Sequence, residues 1–219
     1  MHPCHPHAPD LATLAQSDQP AGWLTGFVAR DYPKGYLLAS PGERRDQVFV
    51  VKSGRLRVYL AGENRDLSLS FLEAGDVYTT HTPTYVETVT PSVLWCIDTA
   101  DFARQLAVDP SFTPVMMRVL GRLLRNAVTL IDDLAFREVP ARLARFLLGL
   151  VDRRGQPHPQ GWLIPLELGT EDIASLLGST RQTVSLLLNQ WVRDGILARP
   201  GRRQLLVLSR QALADLSAS

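Results

Sequence analysis

Cysteine is almost absent from this chain: Cys4 and Cys96 are the only two among 219 residues. Two thiols are too few for a disulfide framework, a four-thiolate zinc centre or a cysteine-ligated iron–sulfur cluster. They fit a reducing, cytoplasmic setting. Long apolar runs are missing as well. No stretch approaches the ~18 uninterrupted apolar residues that a membrane span needs, and the first thirty residues lack a basic start followed by an apolar run. Neither membrane insertion nor secretion is therefore expected. Paired carboxylates, a nucleophile–base pair, a phosphate-cradling glycine loop and a zinc motif are all lacking too, so the chain does not read as an enzyme.

What is present describes a soluble globular protein: 45% hydrophobic residues, 21% charged and a mean hydropathy of −0.02. The length allows one large domain or two small ones. A net charge of +1 conceals an asymmetry. From Met1 to Phe136 there are 12 basic and 15 acidic residues, whereas from Arg137 to Ser219 there are 11 Arg and 7 acidic residues. A small domain with clustered Arg suits a polyanion.

The first twenty residues carry His2, Pro3, Cys4, His5, Pro6, His7 and Pro9, then a short apolar pattern that stops before Asp18; they read as a mobile arm and a short helix. From Phe27 to Ile97, apolar or alternating runs (Gln47 to Lys52, Arg55 to Ala61, Leu67 to Leu72, Tyr85 to Val89, Val93 to Ile97) alternate with turn signals such as Ser53-Gly54 and Ala74-Gly75-Asp76. This spacing predicts a small antiparallel barrel or sandwich. Between Pro114 and Phe136 the period becomes helical, interrupted by Gly121. Its stripe is either a coiled-coil dimer seam or a face buried within one subunit. Ala141 to Val151 reads as a second amphipathic helix, and Arg153 to Gly161 as a loop.

The most informative text follows. Thr170 can cap a helix with Glu171 and Asp172 in its first turn and Ile173, Ala174, Leu176 and Leu177 on its apolar face; Gly178 ends it. After Ser179-Thr180, a second helix from Arg181 to Arg193 turns Val184, Leu187, Leu188 and Trp191 inward and leaves Arg181, Gln182, Ser185 and Asn189 outside. Two helices joined by a tight Gly-containing turn form a helix-turn-helix. The first residues of its second helix enter the major groove, where Arg pairs with guanine and Gln with adenine. Gly195 to Arg199 and Leu205 to Leu208 flank Pro200-Gly201-Arg202-Arg203, a hairpin whose Arg202 and Arg203 would meet phosphate. Double-stranded DNA is the expected partner.

Barrel, long helix and winged helix in that order, with Tyr32-Pro33-Lys34-Gly35, the run from Val48 to Tyr59, Leu72-Glu73-Ala74-Gly75-Asp76 and Gly178-Ser179-Thr180-Arg181-Gln182-Thr183-Val184, resemble the Crp/Fnr transcription regulators over nearly the whole chain. The resemblance implies an α+β protein: an antiparallel β-roll of cyclic-nucleotide-binding type with its arm over 1–113, a dimerisation helix over 114–136 and a winged helix-turn-helix over 137–219. It implies a cytoplasmic homodimer on a pseudo-palindromic operator, contacting RNA polymerase, with Ser179, Arg181, Gln182, Ser185, Arg202 and Arg203 at the DNA. Cyclic nucleotide binding in that family needs a carboxylate and an Arg after the Gly-Asp turn, and Val77 to Thr84 contains neither. Where nucleotide-binding members place Thr and Ser near the base, this chain has Ala127 and Val128. A family iron–sulfur cluster fails on cysteine count.

Within the family the text is most similar to the haem-containing carbon monoxide sensors, through Arg55 to Leu60, Gly75-Asp76 followed by His81-Thr82, Val119-Leu120-Gly121-Arg122, and Ser179 to Val184 with Leu187-Leu188-Asn189. That similarity implies haem b with His81 as an axial ligand and a gas pocket made by Met117, Leu120, Gly121 and Leu124. Without it, an isolated His81 is equally a structural or surface residue. Thr79 stands where the sensors have a second, cysteine ligand. On the opposite face those sensors use an N-terminal Pro nitrogen. Here His2 should leave Met1 in place, so the arm offers the Met1 amine, His2, Cys4, His5 and His7, of which the Met1 amine or an arm His such as His2 would serve, unless the arm is only a tail. The implied mechanism has a small gas displace a weak axial ligand, so that the helices repack and the DNA-binding domains move. A regulator of the same family without haem, responding to another small effector, is the alternative.

Overall fold

The computed structural model describes residues 24–43, 46–63, 65–108, 113–201 and 203–218. They fall into two compact units, one running to Ala61 and including Leu69–Asn126, the other comprising Gly62–Ser68 and Ala127–Ser219.

Eight strands, all in the first unit except the first two residues of β5, build two four-stranded sheets: β1 (Val28–Tyr32), β2 (Leu37–Ala39), β3 (Gln47–Ser53), β4 (Leu56–Leu60), β5 (Leu67–Leu72), β6 (Val77–Thr79), β7 (Tyr85–Thr88) and β8 (Ser92–Asp98). The sheet orders are β1-β8-β3-β6 and β2-β7-β4-β5. The strand β3 is apolar on both faces because both are covered. Phe49 and Val51 join Leu38, Leu56, Val58, Val86 and Leu94 in one core. Val48 and Val50 join Leu24, Phe27, Trp95 and Ile97 in another. The strand β4, also inside its sheet, alternates instead, with Leu56 and Val58 buried and Arg57 and Tyr59 partly exposed. A strand covered on both faces and one covered on a single face account for these two texts.

The second core is closed by Phe102 from α1 (Thr99–Val108) and Val119 from α2 (Thr113–Phe136), with Met116 and Leu123 packed beside them. The opposite stripe of α2 is uncovered: Met117 is 64% exposed, Leu120 59%, Leu124 67%, Val128 57% and Ile131 65%. Burial within one subunit therefore does not account for that stripe.

The second unit contains α3 (Val139–Arg154), β9 (Gln156–His158), β10 (Gly161–Pro165), α4 (Thr170–Leu176), α5 (Arg181–Arg193), β11 (Leu197–Ala198), β12 (Gln204–Val207) and α6 (Arg210–Ser217). Its sheet order is β11-β12-β10-β9. Three details depart from the expectations above. The helix α3 extends beyond Ala141–Val151 at both ends, with Pro140 in its first turn, where a missing N–H costs nothing. The expected loop from Arg153 to Gly161 contains β9, a strand with no apolar alternation to announce it. Gly169, not Thr170, caps α4, and its N–H donates to Asp172 Oδ2 at 2.8 Å. Among the described residues, no helix is long and apolar enough to cross a membrane.

Candidate functional site: a helix-turn-helix and a tethered histidine

The turn between α4 and α5 is built by Gly178, whose φ of 58° lies in the left-handed region. Gly178 N–H donates to Ser175 O and Ser179 N–H to Ala174 O, at 3.3 and 2.9 Å. This pair of bonds satisfies the last carbonyls of α4 and turns the chain sharply. Thr180 Oγ1 then accepts from Thr183 N at 3.2 Å and starts α5. Val184, Leu188 and Trp191 of α5 are buried against Ile173, Leu143, Leu147 and Leu205, with Leu187 partly buried on the same side. That anchors one face and sends Arg181, Gln182, Leu186 and Asn189 outward, with Ser185 half-buried beside them.

The hairpin pairs Leu197 with Val207 and Ala198 with Leu206. At its tip Arg203 has a φ of 63° and an exposed side chain; Arg202 lies outside the described residues. Some other Arg of the unit pair with carboxylates, among them Arg210 with Asp152 at 2.8 Å and Arg145 with Asp133 at 3.0 Å. Among the described residues, Arg181, Arg199 and Arg203 have no such partner and remain available to an external anion.

The other candidate residue, His81, is in the first unit. Antiparallel pairing sets Val48 opposite Thr79 and Phe49 opposite Tyr78. The ladder continues through Gln47 N–H to Thr80 Oγ1 and Thr80 N–H to Gln47 O, each 2.9 Å. One step further the register brings Asp46 to His81. His81 Nδ1 lies 3.2 Å from Asp46 Oδ1 and 2.5 Å from Thr79 Oγ1. A carboxylate can only accept, so a proton on Nδ1 serves Asp46 and leaves a lone pair on Nε2, whereas a Thr79 hydroxyl donating to Nδ1 puts the proton on Nε2. Asp46 is itself held by the Thr99 hydroxyl, which donates to Oδ1 at 2.6 Å. Ser40, Gly42, Glu43, Asp46, Thr80, His81, Thr82 and Pro83 line a cavity of about 300 Å³. A ring fixed through one nitrogen and bearing a free lone pair on the other has the chemistry of an axial metal ligand. Among the described residues, no three His, Cys, Asp or Glu side chains gather into a metal site of their own.

Met117, Leu120, Gly121 and Leu124 lie on the uncovered side of α2. A Cβ built on Gly121 meets nothing within 4 Å, so this chain's own packing does not require a glycine there. Met1 and His2 lie outside the described residues. Sequence reasoning missed Asp46, which is 35 positions from His81 and meets it only through strand register. It also passed over Leu186, although that residue is in phase with Gln182 and Asn189.

A sensor-type β-roll followed by a helix-turn-helix with an uncommitted basic face defines a class of DNA-binding regulator. Residues 29–109 match the cyclic nucleotide-binding domain and residues 141–216 the Crp-like helix-turn-helix domain. The chain belongs to the Crp/Fnr family of transcription regulators. It is 39% identical to a double mutant of CooA from Carboxydothermus hydrogenoformans, over 97% of each chain, with a TM-score of 0.87. It is 31% identical to the reduced, Fe(II) carbon monoxide-sensing protein of R. rubrum, over 97% of this chain and 99% of that one, with a TM-score of 0.54. A CRP-like cAMP-activated global transcriptional regulator of Mycobacterium tuberculosis is 27% identical over 184 residues, 80% of this chain and 82% of that protein.

Proposed function

We propose that this regulator senses a small gas, carbon monoxide, through haem b, and binds a pseudo-palindromic operator as a cytoplasmic homodimer. The observation that carries the proposal is the imidazole of His81, whose Nδ1 contacts Asp46 and Thr79; in the tautomer protonated toward Asp46, Nε2 is the donor atom. Bound there, haem would supply an iron able to take a diatomic gas as ligand. His81 would hold the iron, and Asp46 would orient the ring and raise its donor strength. The Thr79 hydroxyl is engaged with His81 and is a poor iron donor, so the same His serves both oxidation states. Met117, Leu120, Gly121 and Leu124 would give the gas an apolar wall and keep water away. The same stripe, continued by Val128 and Ile131, would pair two subunits. The Met1 amine or His2 would supply a second, weaker ligand to the iron.

The DNA-binding role rests on the family, with Ser179, Arg181, Gln182 and Ser185 proposed to face bases and Arg202 and Arg203 phosphate; RNA polymerase is the proposed downstream contact. One observation favours a second reading, a regulator without haem. The cavity beside His81 is lined largely by polar side chains, which suit a small polar effector. Cyclic AMP, which activates the mycobacterial relative, is not favoured, because residues 77–84 contain neither an acidic residue nor an Arg.

The visible spectrum of the purified protein separates the two readings. Haem binding gives a Soret band that shifts with carbon monoxide, and His81→Ala loses or displaces it while the dimer survives. A protein that takes up no haem, or an unchanged band in His81→Ala, would overturn the proposal.

A further inference from the structure

The outward face of α5 contains one residue that cannot hydrogen-bond. Gln182, Leu186 and Asn189 follow one another at four and three residues, a spacing that aligns them along one side of a helix. Arg181 and Ser185 flank them, and Leu186 is 68% exposed. A lone exposed leucine is ordinary on a protein surface. This one lies in the middle of the face that a helix-turn-helix inserts between the walls of the major groove. There it is stripped of water together with whatever base edge it covers.

Purine N7 and O6 and the exocyclic amines of adenine and cytosine all need a hydrogen-bonding partner once water is excluded, and a leucine offers none. The thymine C5-methyl is the apolar feature of the major-groove edge. We infer that Leu186 reads a thymine methyl in each half-site, selecting T·A by apolar contact with the C5-methyl, a contact that no other base edge offers. Arg181 and Gln182, a turn earlier, supply polar readout to neighbouring pairs. The inference rests on the DNA-binding function of the family and is independent of the effector.

Replacing thymine by deoxyuridine removes that methyl and leaves every hydrogen-bonding group in place. The full-length protein, with and without carbon monoxide, selects its site from a pool of random duplexes. Each thymine of the selected half-site is then replaced in turn, and binding is measured for the native protein, Leu186→Ala and Arg181→Ala. Alanine is a stronger helix former at an exposed position, so the fold is retained. One position should weaken native binding about fourfold when the methyl is removed, the effect of burying a single methyl group. Leu186→Ala should be indifferent to deoxyuridine at that position, while Arg181→Ala keeps the sensitivity. Native binding insensitive to every replacement, or a sensitivity that persists in Leu186→Ala, would overturn the assignment.

Discussion

Tyr32 is 8% exposed, and its hydroxyl lies 3.9 Å from Cys96 Sγ. Burial, and then the neighbouring Cys96, push its pKa up from 10.0 to about 12. The folded chain therefore keeps a proton that the unfolded chain releases. The associated stability is complete below pH 10 and is lost as the pH rises to about 12. Ultraviolet titration of the native protein should show a phenol ionising at about pH 12, and Tyr32→Phe should remove that step. On the DNA side, Arg181→Ala should lower discrimination at one base pair by about 1 to 3 kcal/mol. Arg203→Ala, at the wing, should weaken all sequences alike and flatten the salt dependence. Competition with specific and random duplexes distinguishes the two. The polar residues on the outer face of α5 were legible because their period is local. Asp46 was not, because nothing in a linear text announces that a carboxylate will tether an imidazole across two strands.

At the scale of elements, α2 divides its apolar residues between two duties. Met116, Val119 and Leu123 cover a core, while Met117, Leu120, Leu124, Val128 and Ile131 face outward. An uncovered stripe this long on one helix is larger than scattered surface hydrophobics and supports the dimer seam proposed above. If that seam holds the subunits, Leu124→Glu, at a position with no role in the first unit's core, should yield a monomer in sedimentation while the circular dichroism stays native. The periodicity of α2 was legible throughout, but the sequence could not say which apolar positions the chain covers itself. Short elements escaped for a different reason. The strands β2, β6 and β9 have three residues each, too few to establish a period.

At the scale of the molecule, the proposed homodimer would present two copies of α5, and an operator read by both would carry half-sites one helical turn apart, about 34 Å. Inserting about five base pairs between the half-sites puts the second site on the opposite side of the duplex. Gel shift should then show binding reduced to that of a single half-site, and insertion of a full turn should not restore it, since the helix sets the distance as well as the phase. The class of protein was determined by the sequence alone. Strand-length runs, a long helical period and a capped helix, Gly turn, helix and basic hairpin are local patterns, set by backbone stereochemistry and side-chain period. What only the tertiary structure decided is which distant residues share a site and which apolar residues remain uncovered. Asp46 reaches His81 through the register of β3 and β6, and Leu186 stands exposed because the opposite face of its helix is anchored in the core. Both depend on packing between segments far apart in the chain, which no local pattern encodes.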